Sequence, residues 1–246
     1  HDSFAVSENL IAEFESKNNV KISFFPAGDT GAMLNQAILT KNTPLADVLY
    51  GVDNTFLSRA LEEGIYEPYD SPSLAGIPQE FKLDAKNRVL PVDYSDVCIN
   101  YDKAYFIENG LDVPRSLEDL TLPQYKGLLA VENAATSSPG LAFLMATIAE
   151  YGDPGYLEYW QRLKENGLVV VNDWETAYYT NFSASSGKGP QPMVVSYGSS
   201  PPAEVIFAEQ PLEDAPTASI VAPGACFRPI EFPGLLAGAQ PPALAE

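Results

Sequence analysis

Carboxylates, hydroxyls and aromatic rings gather where strands give way to helices: Asp53-Asn54, Asp93-Tyr94-Ser95, Thr136-Ser137-Ser138, Asp173-Trp174 and Ser196-Tyr197-Gly198-Ser199-Ser200. Asp2-Ser3 likewise stands just before a helix, and none of these stretches contains Lys or Arg. In open α/β sheets, ligands bind outside the carboxyl ends of the strands, where loops lead into helix N-termini. Aromatic faces attract a cation through the ring quadrupole by about 0.5–2 kcal/mol each, and carboxylates add charge complementarity. Serine hydroxyls and backbone N–H groups at helix starts hold an anionic or carbonyl end. Together these residue types describe a pocket for a small organic cation that also carries polar or phosphate groups. Each also has a plainer role. Asp2, Ser3, Asp53, Ser137, Ser138, Asp173 and Ser200 are all good N-caps, and Tyr94, Trp174 and Tyr197 suit core or hinge packing.

Other chemistries have less to work with. His1 is the single histidine, whereas Ser-His and Cys-His triads need an imidazole set beside a nucleophile. Zinc sites usually draw on several His or Cys, and the chain has one His and two Cys. Catalysis by carboxylates alone is the enzymatic alternative, with pairs such as Asp93 and Asp96. Glycoside cleavage then requires two acids at a matched separation, which sequence spacing does not supply. Cys98 and Cys226 lack CxxC spacing. They are either two buried thiols or one long-range disulfide, the latter implying an oxidising compartment.

Composition narrows the class further. The 33 Asp and Glu outweigh 14 Lys and Arg, for a net charge of −19. That argues against a nucleic-acid partner, because neutralising phosphates needs clustered basic residues. No stretch approaches the ~18 consecutive apolar residues of a membrane span, so no direct span is expected. Thirteen Tyr, 12 Phe and two Trp spread along the chain exclude a disordered protein. The length of 246 residues suits one large domain or two modest ones.

The elements that must carry these residues alternate strand and helix. Val20, Ile22 and Phe24 alternate as a short strand, and Gly28-Asp29-Thr30-Gly31 supplies a turn and cap for a helix through Met33, Leu34, Ala37 and Ile38. Residues 46–52 read as a buried strand, followed by a helix over about 54–63 that Gly64 stops. A second round begins with a strand at 128–131 and an apolar helix at 141–150. A helix with Leu157, Trp160 and Leu163 follows, then a strand at 169–171, a helix at 174–182 and a strand at 193–196. Pro201-Pro202 opens a helix through Val205, Ile206 and Phe207, and residues 183–192 read as an exposed loop. The pattern predicts a parallel or mixed α/β sheet. Two rounds suggest two lobes, joined by extended runs at 89–101 and 226–232. Side by side, those runs would bring Cys98 near Cys226. No internal repeat or heptad pattern is present.

In this order, Asp2-Ser3-Phe4, Ala46-Asp47-Val48 to Asp53-Asn54, Val92-Asp93-Tyr94, Asn100-Tyr101-Asp102-Lys103, Ser137-Ser138-Pro139-Gly140, Trp174-Glu175-Thr176-Ala177-Tyr178 and Ser196-Tyr197 to Ser200-Pro201 resemble the thiamine-binding extracytoplasmic proteins of ABC importers. The resemblance runs along essentially the whole chain. It implies a two-lobed α/β fold of the type II periplasmic-binding class, closing on its ligand by a hinge motion. Lobe 1 would comprise residues 1–92 with 227–246 and lobe 2 residues 93–226, with hinge crossovers near 92–101 and 226–232. The implied function is capture of thiamine or a thiamine phosphate outside the cytoplasmic membrane by a monomer, without catalysis or cofactor, for delivery to an ABC importer permease. The implied ligand residues are His1, Asp2, Ser3, Asp53, Tyr94, Ser137, Ser138, Trp174, Tyr197 and Ser199. Trp174 and Tyr197 would line the pocket, Ser137 would lie near the phosphate or hydroxyethyl end, and Asp2 and Asp53 would meet the aminopyrimidine or the thiazolium.

The chain also departs from that family. The position before Asp-Ser-Phe is usually aromatic and is His1 here, and Ala203 stands where some members are aromatic. The start without Met is expected to reflect processing or trimming, and the first lobe is expected to lack an edge strand and closing helices. Adjacent Tyr178-Tyr179 resembles the paired phenolates of iron-binding relatives, which makes ferric iron the runner-up ligand. Neighbouring helical side chains diverge by about 100°, however, and Trp174 is then left without a role. Polyamines form a third ligand class, close in chemistry to thiamine.

Overall fold

The computed structural model describes Phe4, residues 6–184 and residues 188–239. Two compact units form: residues up to Asp93 with those from Ile230 onward, and Tyr94–Pro229. The chain therefore passes between units twice, at 93–94 and at 229–230.

The first unit holds α1 (Glu8–Asn18), α2 (Thr30–Leu39), β1 (Val48–Asp53) and α3 (Leu57–Glu62). Its sheet has the order β1-β8-β2, where β2 is Asp93–Tyr94, at which the chain leaves the unit, and β8 is Ile230–Leu235. β1 and β8 run antiparallel, with Val48 opposite Leu235 and Asp53 opposite Glu231. The predicted turn before α2 forms as expected. Asp29 caps the helix by accepting from the Thr30 N–H at 2.7 Å, and the Thr30 hydroxyl donates to the buried Gly51 carbonyl at 2.9 Å, fastening α2 to β1. Gly64 then takes a φ of +65° after α3, a left-handed conformation that favours glycine. The strand expected at Val20, Ile22 and Phe24 does not form. Alternation specifies a pleated face, but a strand also needs a neighbouring edge, and among the described residues no ladder includes this segment. Phe24 and Phe25 stay more than half exposed.

Between α3 and β2 the first unit has little regular structure, and an ion pair organises it. Both oxygens of the buried Asp84 take the Arg88 guanidinium, at 2.9 and 2.8 Å, and one also accepts the Arg88 backbone N–H at 2.8 Å. Arg88 in turn donates to the Leu61 carbonyl at the end of α3, at 3.3 Å. The Arg88 hydrogen bonds hold the Asp84 carboxyl down at about 2, against the opposing effect of burial.

The second unit contains β3 (Val97–Asp102), α4 (Lys103–Glu108), β4 (Leu129–Glu132), α5 (Ser138–Tyr151), α6 (Gly155–Glu165), β5 (Val169–Val171), α7 (Trp174–Thr176), β6 (Met193–Tyr197), α8 (Ser200–Ile206) and β7 (Thr217–Ile220). Its five-stranded sheet is ordered β5-β4-β6-β3-β7. β4 pairs in parallel with both β5 and β6, and β3 runs antiparallel to β6 and β7. One core packs Val97, Ile99, Val131, Phe143, Tyr159 and Val195 together. A smaller one holds Ala130, Ala177, Tyr178, Phe182 and Val194. The alternation of β6 divides its side chains accordingly, Met193 and Val195 to the larger core and Val194 to the smaller.

The helix expected over 174–182 is one α-turn, α7, continued as a π-helical turn over Ala177–Asn181. The loop expected over 183–192 is packed at its base. Phe182 bridges Gln191, and Ala184 and Gln191 are buried; residues 185–187 lie outside the described set. Near the end of α8, Ile206 and Phe207 are exposed. Neither α4 nor β7 was anticipated from the pattern.

Val97 and Phe227 exchange backbone hydrogen bonds at 2.8 and 2.9 Å. That bridge brings the adjacent residues Cys98 and Cys226 to a Cα separation of 4.4 Å, and the two are joined in a disulfide within the second unit.

Two stability outcomes follow. Replacing both cysteines by alanine lowers the unfolding free energy of the second unit by ~2–4 kcal/mol in urea titrations, because the cross-link closes a long loop of the unfolded chain; Ellman reagent finds no thiol in the denatured, unreduced chain. Asp84 is more acidic folded than its unfolded value of about 3.9. Its contribution is therefore complete above that value and is lost as pH falls from there through about 2. The stability difference between the natural chain and Asp84→Asn, measured by urea unfolding at several pH values, is constant near neutrality and shrinks across that interval.

Candidate functional site

Parallel pairing sets the carboxyl ends of β4, β5 and β6 side by side, and three loops leave from there. Hydrogen bonds tie the first two loops together. The Asn133 N–H donates to the Val171 carbonyl at 2.7 Å, and the Thr136 hydroxyl to the Asn172 carbonyl at 2.6 Å. Asp173 caps α7 by accepting from the Thr176 N–H at 2.7 Å, which makes Trp174 the first helical residue after β5.

Trp174 is fixed at its edge and on its face. Its indole N–H donates to the Ser196 hydroxyl at 2.9 Å, and Ser196 is wholly buried near the end of β6. The Ser196 and Ser200 hydroxyls lie 3.1 Å apart. Beneath the indole the Tyr178 ring stacks at a centroid distance of 4.9 Å and an interplanar angle of 19°. Tyr179 and Tyr197 meet the indole edge-on, at 5.4 and 6.2 Å. The Tyr197 carbonyl is held by the buried Asn100 side chain, whose amide donates to it at 3.0 Å. Tyr179 is half-exposed, and its phenol is raised above the usual range by burial and by the neighbouring Glu175 and Glu204 carboxylates. The arrangement is a pre-oriented aromatic face of the kind that receives a flat ring or a cation.

Beside it, α5 begins against the end of β4. Gly140 permits the close approach, since a Cβ there would stand 2.2 Å from the Glu132 carbonyl oxygen. Glu132 is buried at that strand end. Ser137 occupies the N-cap position but makes no side-chain cap bond. The Ser137 and Ser138 hydroxyls are both buried and have no hydrogen-bond partner among the described residues. Capping therefore does not account for either hydroxyl. Ser199 stands at the N-cap of α8, its hydroxyl 3.1 Å from that of Ser95.

In the first unit, Asp53 ends β1 and is buried, accepting from the Thr55 N–H at 2.9 Å and the Thr55 hydroxyl at 2.5 Å. Asn54 binds the Ile230 backbone in both directions, at 3.0 and 3.1 Å. Tyr50 donates to Asp93 at 3.1 Å, and burial with the Glu231 and Asp93 charges pushes its phenol well above the usual range. Phe4 packs edge-on against Tyr50 at 4.8 Å.

Of the residues singled out in the sequence, Trp174 and Tyr197 come together, with Ser199 at the loop that leaves β6. Ser137 and Ser138 sit at the loop that leaves β4. Asp53 is placed in the first unit, and His1, Asp2 and Ser3 lie outside the described residues. Tyr94 has the chain's own Arg228 guanidinium 5.1 Å over its ring, and Arg228 also pairs with both oxygens of Asp96, at 2.8 and 3.0 Å. Sequence reasoning placed Ser196 in the strand-end run but missed its bond to the indole and the stacking role of Tyr178. The alternation of β6 carried a signal for the first, since Ser196 shares the face of Val194.

The mixed sheet and its helices form the α/β architecture of type II periplasmic binding proteins. Over residues 43–190 the chain matches the bacterial extracellular solute-binding proteins, and it belongs to that family. It is 29% identical over 190 residues to a thiamine-binding periplasmic protein of Brucella suis biovar 1 (strain 1330), covering 76% of this chain and 53% of the relative. The chain thus spans about half the length of the curated relatives it matches. Among solved structures it resembles a periplasmic thiamin binding protein, with a TM-score of 0.77 and 24% identity over 96% of this chain and 69% of the other. Iron-bound HitA from Pseudomonas aeruginosa superposes with a TM-score of 0.73 and 18% identity, over 96% and 73% of the two chains.

Because neither hydroxyl bonds any of the described residues, Ser137→Ala and Ser138→Ala each keep or raise the urea midpoint of unfolding. Removing an unsatisfied buried hydroxyl relieves its desolvation cost of ~1–3 kcal/mol. A clear loss of stability in either variant would show the hydroxyl to be holding the turn.

Proposed function

We propose that this chain captures thiamine or a thiamine phosphate outside the cytoplasmic membrane and presents it, without chemical change, to an ABC importer permease. The observation that carries the reading is Trp174, an indole set at the carboxyl end of a parallel sheet, stacked on Tyr178 and flanked edge-on by Tyr179 and Tyr197. A thiazolium is a flat cation and an aminopyrimidine a flat polar ring, and both are served by such a face. The thiamine-binding relatives support the same ligand. Ser137, Ser138 and the start of α5 would hold the phosphate or hydroxyethyl end through hydroxyl and backbone N–H donors.

The competing ligands and reactions fit the geometry less well. A ferric site on Tyr178 and Tyr179 needs two converging phenolate oxygens, but the two rings stand at 87° and the Tyr178 hydroxyl donates to Glu204. For a carboxylate-based hydrolase, Asp96 is paired through both oxygens with Arg228, and Asp93 accepts from Tyr50.

Isothermal titration of the chain with thiamine, thiamine monophosphate and thiamine diphosphate gives saturable binding near one to one. Trp174→Ala weakens it by roughly 5- to 30-fold, the worth of one stacked cation–π contact of about 1–2 kcal/mol. Unchanged affinity in that variant would remove Trp174 from the site. Uptake of ferric citrate or spermidine in place of thiamine would overturn the ligand.

A further inference from the structure

Glu204 lies one helical turn beyond Ser200 on α8, and two donors converge on its carboxylate. The Tyr178 hydroxyl donates to one oxygen at 2.5 Å, and the Thr217 hydroxyl to the other at 2.6 Å. Thr217 is buried at the start of β7, and Tyr178 is buried in the smaller core. A buried phenol needs an acceptor, and an ionised acceptor makes a hydrogen bond roughly twice as strong as a neutral one. Because conjugation keeps a phenol O–H near the plane of its ring, the direction of the Tyr178 hydroxyl favours one ring plane.

That ring is the surface on which Trp174 lies, 4.9 Å away and nearly parallel. The indole edge is already held by Ser196. A hydrogen bond at one edge still lets an indole tilt about that bond, and a second contact on its face removes the tilt. The run Thr217–Glu204–Tyr178–Trp174 thus leads from an edge strand of the sheet to the aromatic face. The Ser196–Ser200 contact links the same helix to the residue that holds the indole edge.

We propose that Glu204 is a positioning residue that, through Tyr178, locks Trp174 in the orientation in which the ligand's flat ring is received. The identity of that ligand rests on the thiamine reading; the positioning itself does not. Gln at 204 keeps an oxygen for Tyr178, and its amide can donate to the Thr217 oxygen, so it preserves the geometry. Ala removes both contacts.

The test labels the chain with 5-fluorotryptophan. The protein has two tryptophans, Trp160 and Trp174, so Trp160→Phe assigns the two fluorine resonances. Trp160 donates to Thr147 at 2.8 Å between α6 and α5 and serves as an internal reference. Glu204→Ala shifts or broadens the Trp174 resonance and leaves that of Trp160 in place, whereas Glu204→Gln restores it. Tyr178→Phe, which keeps the ring and loses only the hydroxyl, moves the resonance in the same sense and serves where Glu204→Ala does not fold. Thiamine affinity falls with the resonance change, by about tenfold for Glu204→Ala, an effect of the size of one aromatic contact. An unmoved Trp174 resonance in folded Tyr178→Phe and Glu204→Ala would overturn the positioning role. A moved resonance with unchanged thiamine affinity would overturn its bearing on capture. If the unsubstituted chain binds no thiamine, the ligand assignment falls, and the fluorine spectra still decide the role of Glu204.

Discussion

The aromatic face depends first on the parallel pairing of β4 with β5 and with β6. In an antiparallel pair, successive strand ends alternate between opposite edges of the sheet, so loops leaving neighbouring strands part company. Here three consecutive positions in the sheet send their loops out at one edge, and the loops carry Thr136-Ser137-Ser138, Asp173-Trp174 and Tyr197-Gly198-Ser199. None of these segments has much regular structure of its own. Their placement comes from the sheet and from the few hydrogen bonds between loops, such as that of Thr136 to Asn172.

The interior supporting that edge is unusually polar. Asn100, Glu132, Ser137, Ser138, Ser196 and Thr217 are all buried. Burying such groups is unfavourable unless they are bonded, and three of them are bonded to parts of the aromatic face or its supports. Asn100 holds the Tyr197 carbonyl and accepts from Ser219, Ser196 holds the indole, and Thr217 holds Glu204. A purely apolar core would pack these positions with less penalty but would leave Trp174 and Tyr197 free to repack. Fully satisfied polar networks favour one arrangement over near alternatives. The hydroxyls of Ser137 and Ser138 differ, having no hydrogen-bond partner among the described residues.

How far the sequence revealed this differs from element to element. α2 with its Asp29 cap, β1, β4, β5, β6, α5 and α6 were legible, because each shows a clear period or a turn residue of fixed meaning. Trp174, Tyr197 and Ser199 stood out as candidates because they lie at or shortly after strand ends. The isolated alternation at Val20, Ile22 and Phe24 misled, since a strand is a property of two segments and the sequence shows only one. The π-turn at Ala177–Asn181 was invisible for a related reason: one added residue per turn leaves almost no trace in hydrophobic periodicity. Glu204 was read only as part of a helix, because its meaning lies in Tyr178 and Thr217, 26 and 13 residues away. Tyr94 looked like a cation-binding ring, and its described cation is Arg228, a residue that spacing along the chain does not connect to it.

Charge supplies the last constraint. With 33 acidic and 14 basic side chains, the protein carries a net charge of −19 that favours cations in its surroundings. Several of its basic residues are paired with its own carboxylates: Arg88 with Asp84, Arg228 with Asp96, Arg162 with Glu118, Lys103 with Asp214 and Lys41 with Glu63. A ligand that is both cationic and phosphorylated then meets two different kinds of recognition. Its ring charge is drawn by diffuse acidity and by aromatic faces. Its phosphate, at strand-end loops that contain no Lys or Arg, would be served by hydroxyls and the N–H groups that open a helix, which carry partial positive charge. The first turn of α5, with Ser137 and Ser138 ahead of Gly140, has those donors and the bare backbone that lets it press against β4. On this reading the scarcity of Lys and Arg at the strand ends is part of the selectivity: a basic side chain beside Trp174 would repel the cation that the aromatic face is built to hold.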